Sequence, residues 1–257
     1  MQTEPDTEKL KKMIARTVAT HPVGRNLMLI GGFRYRFLNS SVRTSDDIDY
    51  HWQGDLSEKQ AELVEHFNRI LLPEVNRTVG YDGSAAPCTG PDSDSLSVRT
   101  VNLAFWKKGI AFSSIEIPVE ITAIICADPV CIRTVTGTIY ATVSDADMIE
   151  SKIIAIFNRV ILKHRDIVDV FLFKDSLLQN SSQRLAAKLQ RLGISNEHIC
   201  KRADDLREHS EYQIRAIQDI IDTQFDSVAA NQINDAGGGR MILRTVLDIL
   251  KDLGVAV

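Results

Sequence analysis

What this chain lacks narrows it first. Its 257 residues hold no apolar run near the roughly 18 residues that a membrane-spanning helix needs. Four cysteines, at 88, 126, 131 and 200, form no C-x-x-C pair and have no histidine at zinc-ligand spacing. They read as free thiols, not as a disulfide framework or a zinc site. Gly237-Gly238-Gly239 has no Lys-Ser/Thr after it, which excludes a P-loop and leaves a flexible joint as the expectation. No internal repeat is visible. An excess of base is missing too: 30 Lys and Arg stand against 34 Asp and Glu, for a net charge of −4 and a pI near 5.9. That balance excludes a protein basic over its whole surface, as one that coats nucleic acid would be, while permitting a local basic groove. The opening residues, with Glu4, Asp6 and Glu8, lack the basic-then-apolar order of a signal peptide, so a cytoplasmic protein is expected.

What is present is ordinary in amount and informative in order. An apolar fraction of 44% and a charged fraction of 25% suit a globular chain with a real core, as one large domain or two small ones. Leu10, Met13, Ile14 and Val18 make an apolar stripe that predicts a helix over 7–19. Leu27 to Ile30 reads as a strand, Gly31-Gly32 as the opening of a helix through Leu38, and Asn39-Ser40-Ser41 as a turn. Ile48 to Trp52 reads as a strand. A helix capped by Ser57 and ending at Pro73 follows. Residues 75–143 are rich in β-formers, with strands expected over Val98–Trp106, Ile115–Ile125 and Cys131–Val143, a mobile loop over 80–95 and a hairpin turn at Gly109.

From Ser144, a good N-cap with Asp145 and Asp147 behind it, the pattern becomes helical. Ile149, Ile153, Ile156 and Val160 form the first stripe. Further helices are expected over 164–178, 181–192, 195–227 and 240–253. The fold class is therefore α+β: a mixed sheet with flanking helices over 1–143 and a helical bundle over 144–257.

Two features carry chemistry. A glycine pair after an apolar strand lets the backbone turn tightly, and the first N–H groups of the following helix favour an anion such as phosphate. Asp47 and Asp49, at i and i+2 on a strand, point to one face, with His51 next in the row, and can share a hard divalent cation. A two-metal site asks for a third carboxylate from an adjacent strand. Ile115 to Ile121 offers Glu116 and Glu120 on one face, and Glu120, deeper in the apolar run, is the better candidate. By spacing alone, Lys152 reads as a solvated lysine, and Asp166 and Asp169, at i and i+3, as salt-bridge partners on one helix face. Arg184, Lys188, Arg191, Lys201 and Arg202 read as a solvated face that doubles as a candidate patch for a nucleic-acid backbone.

Three segments in this order resemble the AbiEii/AbiGii-type nucleotidyltransferase toxins, a branch of the polymerase-beta-like nucleotidyltransferase superfamily. Leu29-Ile30-Gly31-Gly32-Phe33-Arg34-Tyr35-Arg36 is like the family's strand-to-helix turn, and Arg43-Thr44-Ser45-Asp46-Asp47-Ile48-Asp49 is like its R-x-S-x-D-I-D signature. Glu150-Ser151-Lys152 with Arg159, then Arg165-Asp166-Ile167-Val168-Asp169, is like its helical E-x-K and R-D-x-x-D pair. The resemblance covers residues 25–175 and implies a nucleotidyltransferase-like sheet.

It also implies a metal site at Asp47 and Asp49 holding one or two magnesium ions. The triphosphate would be met at Gly31, Gly32, Arg43, Ser45 and Asp169. Lys152 would neutralise phosphate charge, and Asp166, with Asp169 beside it, would complete the site. Glu120 as a metal ligand is read from the strand pattern and not from the family. The implied activity moves a nucleoside monophosphate from a nucleoside triphosphate to an RNA such as tRNA, as the toxin of a toxin–antitoxin or abortive-infection pair restrained by a cognate antitoxin. Two alternatives stand beside it: a small-molecule nucleotidyltransferase of the antibiotic-modifying kind, which the slight acidity suits, and a non-catalytic nucleotide-binding module.

Overall fold

The structure is a computed structural model that describes residues 4–88, 97–110 and 114–255. It divides into two compact units. The first comprises residues 1–40, 45–124 and 130–143; the second comprises 41–44, 125–129 and 144–257.

The first unit is built on one seven-stranded mixed sheet in the order β3-β4-β5-β2-β1-β7-β6. Its strands are β1 (Met28–Ile30), β2 (Ile48–His51), β3 (Asp82–Pro87), β4 (Val98–Trp106), β5 (Ile115–Thr122), β6 (Cys131–Val135) and β7 (Thr138–Thr142). β1 pairs antiparallel with β2 and parallel with β7, while β2 runs parallel to β5. Helices α1 (Asp6–Thr20), α2 (Gly31–Asn39), α3 (Leu56–His66) and α4 (Leu72–Val79) flank it. The core joins Leu10 and Ile14 of α1, Leu63 and Phe67 beside α3, and alternate residues of β4 and β5 such as Val101, Leu103, Ile117 and Val119. Period-2 alternation of buried residues on β4 and β5 is what a sheet with one packed face requires.

The second unit is helical: α5 (Asp145–Asn158), α6 (His164–Phe173), α7 (Ser181–Arg191), α8 (Asn196–Glu208), α9 (Ser210–Gln224), α10 (Ser227–Asp235) and α11 (Gly238–Asp252). Its own core runs through Ile149, Ile153, Ile167, Leu185, Ile217 and Val246. Ser144 caps α5 as expected, accepting from the Asp147 N–H.

The structure departs from several expectations for identifiable reasons. Pro73 does not end the helix: a π-helical stretch over Phe67–Leu71 carries the chain on, and Pro73 sits in the first turn of α4, where its missing N–H costs little. The cap of α3 is Asp55, whose carboxylate accepts from the Ser57 and Glu58 N–H groups, so Ser57 already lies inside. Cys131–Val143 is a hairpin, because Thr136 and Gly137 both take positive φ and make a two-residue turn. The 195–227 helix breaks at His209, with φ −99 and ψ 27, and a separate α10 follows. Val160 is 94% exposed, since α5 stops at Asn158. Of the expected loop over 80–95, residues 82–87 form β3, and 89–95 lie outside the described residues.

The glycine triplet is no joint either. Gly237 caps α11, and Gly239 lies where a Cβ would stand 2.5 Å from the Ile214 carbonyl oxygen of α9. The missing side chain lets two helices close on each other. Gly239→Ala should therefore destabilise the helical unit by about 1–3 kcal/mol through overpacking, despite alanine's better helix propensity. Urea denaturation followed by far-UV circular dichroism reads it as a lowered midpoint.

Candidate active site

In the sheet unit, β1 runs into α2 at Gly31, which takes φ +78. A Cβ there would lie 1.7 Å from Asp49 Oδ2, so glycine is required both by conformation and by the carboxylate pressed against it. The antiparallel register sets Ile30 opposite Asp49, and the parallel register sets Asp49 opposite Glu120. Asp47, Asp49 and Glu120 each bring a carboxylate oxygen within 4.8 Å of the others. Among the described residues they form the one such acidic group. Glu116, the rejected alternative, is exposed.

Three converging anions, one buried and two half-buried, repel one another unless a cation or protons relieve them. An all-oxygen set of this kind suits magnesium. Ser45 Oγ donates to Asp47 Oδ1 at 2.6 Å, and Ser45 is itself buried. His51, two residues past Asp49, accepts the Ile124 N–H at Nδ1, 3.0 Å away. The same nitrogen lies 3.3 Å from the Thr122 carbonyl oxygen, so the ring is held against the end of β5 and the segment after it. Lys11, a charge at helical spacing from Ile14, Ala15 and Val18 that lies in none of the three motif segments, is buried with its ammonium on the Ser45 carbonyl. Arg34 clamps α2 to the sheet, donating to Thr142 Oγ1 at 3.0 Å and to the Val143 carbonyl at 3.3 Å.

In the helical unit, Lys152 of α5 reaches Asp166 Oδ1 and Asp169 Oδ2 of α6, each at 3.0 Å. Arg159 also approaches Asp166, with Nε 3.1 Å from Oδ2. Arg43 meets Asp169 through two parallel bonds, Nε to Oδ1 at 2.8 Å and Nη2 to Oδ2 at 3.0 Å. It also donates to the Thr44 carbonyl and to Gln224 Oε1. Arg43 and Asp169 are 2% and 0% exposed. The expectation that they contact the triphosphate thus meets a different arrangement: they are bonded to each other inside the helical unit. Burial pushes the Asp169 carboxyl up, but the Lys152 and Arg43 cations outweigh it and hold it below the usual range.

A second buried network corrects the expected basic patch. Arg184 and Lys188 of α7 do not face solvent. Arg184 bonds Asp128 (2.8 Å), Asp147 (2.9 Å) and Glu150 (2.7 Å), and Lys188 bonds Asp147 and Glu150 at 2.6 and 2.7 Å. Glu150 of the E-x-K segment is therefore a packing element of α5 and α7. Arg191 and Lys201 remain exposed. The nearby Cys126 thiol is pushed up to about 11 by burial and then by the Asp147 charge.

No family model and no curated protein sequence matches the chain. Solved structures do. JHP933 from Helicobacter pylori aligns with a TM-score of 0.53 at 14% identity, covering 97% of this chain and 94% of that one. A putative nucleotidyltransferase from H. pylori gives 0.50 at 15%, covering 96% of each. MenT4, a nucleotidyltransferase toxin from Mycobacterium tuberculosis H37Rv, gives 0.51 at 16%, covering 97% of this chain and 86% of that one. The chain has a nucleotidyltransferase-like fold.

Two outcomes follow from this electrostatics. Because the native Asp169 carboxyl is held low, its stabilisation is complete above the ordinary carboxylate range near pH 4 and is lost as pH falls through its lowered native value. Asp169→Asn should cost about 3–5 kcal/mol at pH 7 by leaving Arg43 and Lys152 short of charge, with the difference from wild type narrowing at pH 3 in denaturant titrations. Iodoacetamide at pH 8 should label exposed Cys200 first and Cys126 last, as peptide mass mapping over time would read.

Proposed function

We propose that the protein is a metal-dependent nucleotidyltransferase that moves a nucleoside monophosphate from a nucleoside triphosphate to an RNA acceptor. The observation that carries this reading is the convergence of Asp47, Asp49 and Glu120 beside the Gly31 turn that opens α2. A cation of the magnesium kind and the N-terminus of a helix are the two features that a triphosphate needs. The nucleotidyltransferase-like fold supports it.

Asp47, Asp49 and Glu120 would hold the metal. Bound there, magnesium would neutralise charge on the α-phosphate and lower the pKa of an attacking hydroxyl. The chain's own groups do the rest. The N–H groups at Gly31 and Gly32 bind and orient the triphosphate, while the Ser45 hydroxyl, donated to Asp47, holds that carboxylate in place. Lys152 of the helical unit neutralises phosphate charge, and Asp166 keeps its ammonium extended. An acceptor hydroxyl gives its proton to water as it attacks the α-phosphorus, a new P–O bond forms, and the bond to the departing pyrophosphate breaks. Arg43 and Asp169 hold the segment that leads into Ser45, since the chain passes directly from Thr44 of the helical unit to Ser45 of the sheet unit. The toxin role and a cognate antitoxin rest on the motif resemblance and on MenT4, a toxin, among the structural neighbours.

The test is incubation of the purified protein with magnesium, each labelled nucleoside triphosphate in turn, and total RNA. Label should enter small RNA with one nucleotide or a narrow set. Asp49→Asn, which removes one metal ligand, should reduce transfer on the order of a thousandfold, since a metal ligand's share of transition-state stabilisation is several kcal/mol. Chelation with EDTA should abolish it. Triphosphate binding with label entering only a small molecule would redirect the reading to a small-molecule acceptor, and triphosphate binding with no transfer to any acceptor would support a non-catalytic nucleotide-binding module.

A further inference from the structure

We propose that the N-terminal helix is part of the metal site and that Lys11 is a positioning residue that sets the Ser45–Asp47 turn. The proposal rests on the metal reading above and adds a residue outside all three motif segments.

Lys11 interrupts the buried face of α1, one turn before Ile14 and Ala15 and two before Val18, and it is 2% exposed. A buried ammonium is costly unless its protons are taken up. Two acceptors take them: the backbone carbonyl of Ser45, and Glu8 Oε1 one helical turn back at 3.0 Å. Ser45 is the residue whose hydroxyl donates to Asp47 Oδ1. A continuous relay thus runs from the ammonium through the Ser45 backbone to the first metal-facing carboxylate. Removing its first link frees the turn on which that carboxylate's orientation depends.

The helix that presents Lys11 is fastened on both sides of it. Tyr81 and Lys107 donate to Asp6 Oδ2 at 2.9 and 3.1 Å, and these bonds, the tyrosine's first, bring the Asp6 carboxyl down to about 2. Further along, Arg16 pairs with Glu74, and Thr17 Oγ1 donates to the same carboxylate at 3.5 Å. Glu74 belongs to α4. The hold on Ser45 therefore comes from a rigid strut and not from a flexible surface side chain. A geometric error of about 1 Å at a metal ligand is enough to weaken a site severely.

The test uses Mn2+ as a spectroscopic stand-in for magnesium and reads binding by electron paramagnetic resonance, with nucleotide transfer measured in parallel. Lys11→Met keeps the stem and removes the charge. It should fold and bind Mn2+ about 10- to 100-fold more weakly, the scale of one lost charged hydrogen bond, with kcat recovering as Mn2+ is raised. Lys11→Arg should restore affinity to within about threefold. Lys11→Gln, with a neutral donor on a shorter stem, is the second variant and should show a weaker loss in the same direction. Wild-type Mn2+ affinity in a folded Lys11→Met or Lys11→Gln protein overturns the proposal. So does unfolding of both, which would assign Lys11 to the fold alone. Failure of the wild type itself to bind Mn2+, beside an equally inert Asp49→Asn, would instead overturn the metal reading.

Discussion

Three carboxylates drawn together at the middle of a sheet are the constraint around which the first unit is organised. Asp47, Asp49 and Glu120 repel, and side chains on flexible loops would relieve that repulsion by moving apart. Here they cannot do so at small cost. Asp49 and Glu120 sit on paired central strands whose ladder fixes their register, and the Gly31 backbone closes one side of Asp49. The unit thus holds its anions together in advance, which is how a protein raises affinity for a cation without reorganising when it binds.

The helical unit meets the same difficulty, buried charge, with the opposite solution. Its ions are matched internally: Arg43 and Lys152 on Asp169, and Arg184 and Lys188 on Asp147 and Glu150. Buried pairs of this kind add little net stability compared with an apolar core, but losing one partner is costly, so they dictate which helix packs where. The two networks tie short segments drawn from the earlier chain, 41–44 and 125–129, into the helical bundle. Lys152 belongs to such a network and is also the proposed phosphate cation. Its ammonium is shared between Asp166 and Asp169, 3.0 Å from each.

Local signals in the sequence were reliable wherever one periodicity was enough. The stripe of α1, the Ile149, Ile153 and Ile156 part of the α5 stripe, the alternation of β4 and β5, the Ser144 cap and the Gly31-Gly32 turn are all properties of neighbours in the chain, and the structure contains them. The misreadings share a different cause. Pro73 is harmless because a π-helical stretch precedes it, and Gly239 is rigid because the α9 backbone lies against it. In each case the deciding atom lies in backbone geometry or in another helix, and no window of sequence contains it.

The candidate site divides along the same line. Sequence by itself determined that Asp47 and Asp49 stand two residues apart at the head of an apolar strand, that a glycine pair opens a helix after another, and that Glu120 lies deeper in its apolar run than Glu116. These follow from the strand period and from the chemistry of each side chain. Only the tertiary structure decided that Glu120 lies opposite Asp49, that Arg43 belongs to Asp169, that Arg184 and Lys188 are turned onto internal carboxylates, and that Lys11 holds Ser45. A charge on a helix looks the same in sequence whether water or a distant carbonyl will receive its protons. The difference is set by which elements pack together, and that is a property of the whole core.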